Sequence, residues 1–245
     1  MKKALITGAN RSIGFETARQ LLKLGYHVYL GSRSPDRGQQ AVEKLKSEGL
    51  TAVEAIALDV SSEESVNAAR TEIGRMTDTL DVLVNNAGIL GGMDQKATAS
   101  GAALYQEVYN TNVFGIVRVN LAFLDLLKAA EQPRIVNVTS GLGSVSLNAD
   151  PSWKYYGVKA AVYNSSKAAL NMYTIVLAHE LRDTAFKVNA VDPGYTATDF
   201  NHHSGPGTVA EAAARLVKCA TLPNDGPTGQ FFSDDNNPET GISPW

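Results

Sequence analysis

Short apolar runs alternate along this chain with longer stretches in which apolar residues recur every three or four positions. The first pattern predicts strands over 4–7, 27–30, 51–58, 80–84, 134–139, 187–191 and 229–232. The second predicts helices near 13–24, 37–47, 63–75, 102–130, 165–182 and 209–220. Uninterrupted apolar strands such as Val82-Leu83-Val84 and Ile135-Val136 need cover on both faces. The alternation implies right-handed crossovers and an α/β fold: a doubly wound parallel sheet of about seven strands with helices on both sides.

No Pro/Gly/Ser linker or shift in composition divides the chain, so a single domain over 1–245 is expected. Two stretches break the rhythm, 141–162 and 199–208. Long loops beyond the carboxyl ends of parallel strands are where such sheets bind ligands, and these are read as substrate loops.

Net charge is −3 with basic residues scattered, which gives no patch for nucleic acid or an anionic membrane. The single cysteine, Cys219, rules out an internal disulfide and sits in the apolar-periodic run 212–222, as a buried helical residue would. The apolar run after Met-Lys-Lys is too short for a signal peptide, and none approaches the ~18 residues of a spanning helix. The cytoplasm is the expected compartment.

The first strand runs into Thr7-Gly8-Ala9-Asn10-Arg11-Ser12-Ile13-Gly14 and then straight into a helix. Gly8 permits a tight turn, Gly14 lets the helix pack closely on the strand, and free N–H groups at the helix start suit a pyrophosphate.

This turn resembles the T-G-x-x-x-G-x-G of the short-chain dehydrogenase/reductase family, whose Rossmann fold binds a nicotinamide dinucleotide. Ser12 stands where the family usually has its middle glycine; serine is small, and the turn is expected to form. The resemblance continues over the chain. It implies adenine contact by Asp59 and Val60, and ribose contact by Asn86, Ala87 and Gly88 in Asn85-Asn86-Ala87-Gly88. It also implies that Pro193, Gly194, Thr196 and Thr198 hold the carboxamide, with Thr196 in a valine slot. Arg33 followed by Arg37-Gly38-Gln39, and the ending Gly226-Pro227-Thr228-Gly229-Gln230-Phe231, are similar to the carbonyl-reductase subgroup.

The second strand ends Gly31-Ser32-Arg33 where an acid would bind ribose hydroxyls and repel a 2′-phosphate. Ser32 and Arg33, with Arg11 reaching over from the glycine turn, form a phosphate clamp, so NADP(H) is expected over NAD(H).

The family's Y-x-x-x-K puts tyrosine and lysine one helical turn apart. A neighbouring ammonium and the positive nicotinamide are expected to lower the phenol's pKa from ~10 and fit it for proton transfer. The resemblance adds Ser140, steadying the substrate oxygen, and Asn112, holding a water that relays protons to lysine. Two pairs satisfy the spacing: Tyr163/Lys167 and Tyr155/Lys159. Tyr163/Lys167 is chosen for three reasons. Its intervening Asn164-Ser165-Ser166 is small, the following run makes one helix of normal length, and the distance to Pro193 suits a helix, a turn and a strand. The stretch 148–157 then reads as an insertion beside the substrate pocket. Trp153, Tyr155 and Tyr156 either line that pocket or plug the loop against the sheet.

His202-His203 has no neighbours at metal-ligand spacing, and no metal is expected. The implied activity is hydride transfer between NADP(H) and a small carbonyl or alcohol substrate. The alternatives are a cofactor-binding sensor without turnover and a reductase of an imine or activated alkene. Monomer and homo-oligomer both stay open.

Overall fold

The structure is a computed structural model describing residues 1–245. Seven parallel strands pair in the order β3-β2-β1-β4-β5-β6-β7: β1 Lys3–Ile6, β2 His27–Ser32, β3 Val53–Ala57, β4 Val82–Asn85, β5 Arg134–Val138, β6 Lys187–Val191 and β7 Phe231–Phe232. The order runs outward in both directions from β1 and β4. Connections leaving these two strands diverge and open a crevice at their carboxyl ends.

Period-two alternation distributes each strand between two cores. Ala4, Ile6, Val82, Val84, Val136 and Val138 point to one face, against Leu21 and Leu22 of α1 (Ser12–Lys23), Leu45 of α2 (Pro35–Ser47) and Leu216 of α8 (Val209–Ala220). Leu5, Leu83, Ile135 and Val188 point to the other. There they meet Ile73 of α3 (Glu63–Met76), Phe123 of α5 (Gly115–Lys128) and Ala178 of α7 (Ala161–Glu180). Each fully buried Leu or Ile contributes about 2 kcal/mol, which explains why the apolar runs were legible as strands.

The predicted helix over 102–130 is divided. α4 (Ala102–Tyr109) and α5 are joined by a π-helical turn, Asn110–Phe114. Asn112 in that turn is fully buried. Its Oδ1 accepts from the Ile89 N–H at 2.8 Å, and its Nδ2 donates to the Ile89 carbonyl at 2.9 Å and the Ser166 hydroxyl at 3.1 Å. Gly115 follows, where a Cβ would come within 3.0 Å of Val60. Hydrogen bonds to a distant loop leave no trace in apolar spacing, so periodicity ran through the break.

The predicted helix over 165–182 starts earlier, at Ala161. Ala160 gives α7 no side-chain cap. Gln95 supplies it from another loop: its side-chain oxygen accepts from the Tyr163 N–H at 2.7 Å, and its backbone carbonyl from the Ala161 N–H at 2.9 Å. The stretch 141–162 also has structure of its own, a 3₁₀ turn (Gly141–Gly143) and a short α6 (Val145–Ala149). No helix is long and apolar enough to cross a membrane.

Candidate active site

A cleft of about 500 Å³ runs along the carboxyl ends of the strands. It is lined by Gly8, Asn10, Arg11, Ser12, Ile13 and Gly14 after β1, Arg33 after β2, Asp59 and Val60 after β3, and Asn86, Ala87 and Gly88 after β4. Ser140, Tyr163, Lys167, Pro193, Gly194, Thr196 and Thr198 complete the far end. Among the residues singled out from sequence for the site, Asn112 alone stands behind the wall. Gly88 separates it from the cleft: a Cβ there would lie 3.3 Å from Asn112 Oδ1 and 3.7 Å from Lys167 Nζ.

The glycine turn is stitched to the end of β4. Asn86 Nδ2 donates to the carbonyls of Thr7 at 2.9 Å and Gly8 at 3.1 Å, while Thr7 Oγ1 accepts the N–H groups of Asn86 and Ala87. Gly14 is required by close approach, since a Cβ would come 2.5 Å from Asn86 Nδ2 and 2.7 Å from the Gly8 carbonyl. Ser12 has φ +48°, the left-handed region that favours glycine. The close-packed turn leading into the N-terminus of α1 suits a pyrophosphate.

Two parts of the expected phosphate clamp differ. Ser32 lines the cleft but is buried, and its hydroxyl donates to the Ser34 carbonyl at 2.8 Å, so that proton is already engaged. Arg11 Nη1 donates to Asp199 Oδ2 at 3.1 Å, bridging to the loop over the far end. In compensation, Ser34 and Arg37 line the cleft beside Arg33. Arg37, noticed in the sequence only as a subgroup mark, sits one turn into α2 after the Ser34 cap, whose Oγ accepts its N–H. The two exposed guanidiniums at this end fit a 2′-phosphate.

At the far end, Tyr163 is 8% exposed in the first turn of α7. Lys167 Nζ lies 5.8 Å from the centre of its ring and donates to the Val138 carbonyl at 2.8 Å. Ser140 stands close enough to the Tyr163 phenol to act on its ionisation. Burial pushes Lys167 down to about 8. Burial raises the Tyr163 phenol, Asp192 adds to the rise, and Ser140 opposes it. The expected lowering by the ammonium is therefore outweighed in the protein alone, because desolvating a phenolate costs more than one neighbouring hydroxyl returns.

The rival pair is not arranged for this chemistry. Tyr155 lies in a turn outside any helix, with its ring edge-on to Trp153 at 5.5 Å and Tyr195 at 6.1 Å. Lys159 is exposed and donates to the Asn148 carbonyl at 2.8 Å. Tyr155 and Val158 do line the cleft, with Leu90, Met93, Leu142 and Phe200. Trp153 instead donates to Asn236 at 3.3 Å, and Tyr156 is 40% exposed. His203 lies 2.9 Å from Asp199 Oδ1.

Sequence reading missed Gln95 and Asp192. Gln95 gave no signal, since a lone glutamine outside any motif has no pattern to betray it. Asp192 stood next to Pro193-Gly194 and was overlooked because that segment was read for its cofactor contacts.

A parallel sheet with a glycine turn at its switch point, joined by one cleft to a half-buried hydroxyl and a buried phenol and ammonium, defines a dinucleotide-dependent oxidoreductase. The family model for the short chain dehydrogenases matches residues 2–208. The chain belongs to the short-chain dehydrogenase/reductase family. It is 36% identical to the short-chain dehydrogenase anuI of Penicillium roqueforti, over 95% of this chain and 94% of that one. It is 35% identical to the (+)-neomenthol dehydrogenase of Arabidopsis thaliana, over 94% and 95% of the two chains. The NADPH-bound carbonyl reductase from chicken fatty liver superposes with a TM-score of 0.85 at 27% identity, covering 100% of this chain and 99% of that one.

Proposed function

We propose that this chain is an NADP(H)-dependent oxidoreductase that interconverts a small carbonyl compound and its alcohol, with Tyr163 as the acid/base. The observation that carries the reading is the meeting of Ser140, Tyr163 and Lys167 in the cleft that begins at Arg33 and Arg37. The NADPH-bound carbonyl reductase of the same fold and the neomenthol dehydrogenase, an alcohol-acting relative, support it.

The nicotinamide cofactor supplies the hydride when bound; the remaining work falls to the chain. Arg33 and Arg37 hold the 2′-phosphate, the glycine turn takes the pyrophosphate, and Pro193, Gly194, Thr196 and Thr198 fix the carboxamide end. The Ser140 hydroxyl holds the substrate oxygen and the Tyr163 hydroxyl donates a proton to it. Lys167 returns a proton to Tyr163. Asn112 supports the relay from behind Gly88, its side chain engaged with Ile89 and Ser166. The segments 141–162 and 199–208 form the substrate side of one domain spanning 1–245, with an apolar wall of Leu90, Leu142, Tyr155 and Phe200.

NADPH absorbance against a panel of aldehydes, ketones, imines and activated alkenes tests the proposal. Turnover confined to carbonyls is expected. NADPH binding without turnover of any member assigns the chain to the sensor class.

A further inference from the structure

Asp192 follows β6 directly and is 5% exposed, yet it shares the cleft wall with Ser140, Tyr163 and Lys167. Its Oδ1 accepts from the Gly194 N–H at 3.0 Å and its Oδ2 from the Ser233 hydroxyl at 2.7 Å. Gly141 packs against the same carboxylate, where a Cβ would stand 3.2 Å from Oδ2. The neighbours come from three separate segments: the residue after Ser140, the turn that follows β6, and the chain beyond β7. Both donors are neutral and leave its charge uncancelled; burial raises its carboxyl above the usual carboxylate range, and the bonds from Ser233 and Gly194 oppose the rise.

The charged and titratable groups around it are accounted for. Lys154 of the crossing loop is paired with Asp235, and Arg215 of α8 with Asp234 and the Pro193 carbonyl. Lys218 of α8 is exposed, the Cys219 thiol of α8 is buried, and the Tyr155 and Tyr195 rings flank the cleft. From α7 come Tyr163 and Lys167, and Lys167 donates only to a backbone carbonyl.

We infer that Asp192 is a positioning residue of the catalytic centre, whose carboxylate ties the Pro193-Gly194 turn to the chain beyond β7, beside the Ser140 end of β5, and presents a fixed negative charge to Tyr163 and Lys167. That charge favours phenol over phenolate and ammonium over amine. It keeps the pair loaded with the proton that carbonyl reduction consumes. The idea rests on the reading of Tyr163 as proton donor, but its electrostatic core can be measured without turnover.

In the full chain labelled with ¹³Cε-lysine, the Lys167 resonance, identified by its loss in Lys167→Arg, is titrated with pH. In Asp192→Asn the midpoint is expected to fall by about one pH unit, tenfold in the ionisation constant. The alkaline limb of reductive kcat/KM moves the same way. An unmoved midpoint in folded Asp192→Asn overturns the inference, even if activity is lost. A shifted midpoint in a protein that turns over no carbonyl upholds Asp192 and refutes the function. Should Asp192→Asn fail to fold, the carboxyl ¹³C shift of Asp192 in the unsubstituted protein decides. The ionised position at pH 8 supports the inference and the protonated position overturns it.

Discussion

Arg11, in the glycine turn, and Asp199, at the head of the loop over the far end of the cleft, form an ion pair of 3.1 Å. Its side chains are 59% and 44% exposed, so solvent screens it and its worth is at most about 1 kcal/mol. A bound phosphate competes with Asp199 for the same guanidinium. Asp199→Asn frees Arg11 and removes a negative charge from the cleft, and NADPH is expected to bind about threefold more tightly. Fluorescence titration checks this; weaker binding would mean that the bridge helps to hold the cofactor.

Arg33 stands at the end of the cleft that the 2′-phosphate would occupy. A hydrogen bond to a charged group is worth about 1.5–3 kcal/mol, so Arg33→Ala should lose at least about tenfold in NADPH affinity. NADH affinity should change little. Equal losses for both cofactors would remove the 2′-phosphate from the account of this residue.

Tyr163→Phe keeps the ring packed against Phe200, 5.7 Å away, and removes the hydroxyl. Turnover is expected to fall by ~10²–10⁴ while NADPH binding persists. Tyr155→Phe should alter KM alone, as befits a ring on the cleft wall. A dead Tyr155→Phe beside an active Tyr163→Phe would move the acid to the turn at 155.

Lys167, pushed down to about 8 by burial, loses its proton as pH rises through that value. A lysine that must resupply Tyr163 works only as the ammonium. Reductive kcat/KM is therefore expected to decline above pH ~8. A profile flat to pH ~10 would separate Lys167 from proton supply.

Ser12 holds φ at +48°. Relief of a left-handed residue is worth about 1–2 kcal/mol, and glycine's greater freedom in the unfolded chain takes back about 0.5–1. Ser12→Gly is expected to raise stability by about 0–1.5 kcal/mol in denaturant melts. Its effect on NADPH affinity should stay within about threefold, because the N–H groups of the turn keep their places. A larger gain in affinity would show that the serine restrains binding.

The chain's own pattern determined the sheet and the cleft. Apolar runs such as Val82-Leu83-Val84 must be covered on both faces, and a period of two sends successive residues to opposite cores. The glycine turn was legible because Gly14 answers to the steric limit of its neighbours wherever this fold is built. A spacing of one helical turn left two tyrosine–lysine pairs open, and Tyr163/Lys167 is the pair that falls within α7.

What tertiary structure alone decided involves partners distant along the chain. Gln95 caps α7 across 68 positions and so sets where that helix begins. Asn112 breaks a helix through bonds to Ile89, and Arg11 turns to Asp199 across 188 positions. The Tyr163 phenol rises because burial desolvates it and Asp192 stands near, two conditions set by packing. Apolar burial repeats along a strand or helix and therefore writes a periodic record in the sequence. A single polar contact between remote residues has no period, and only the folded chain brings its ends together.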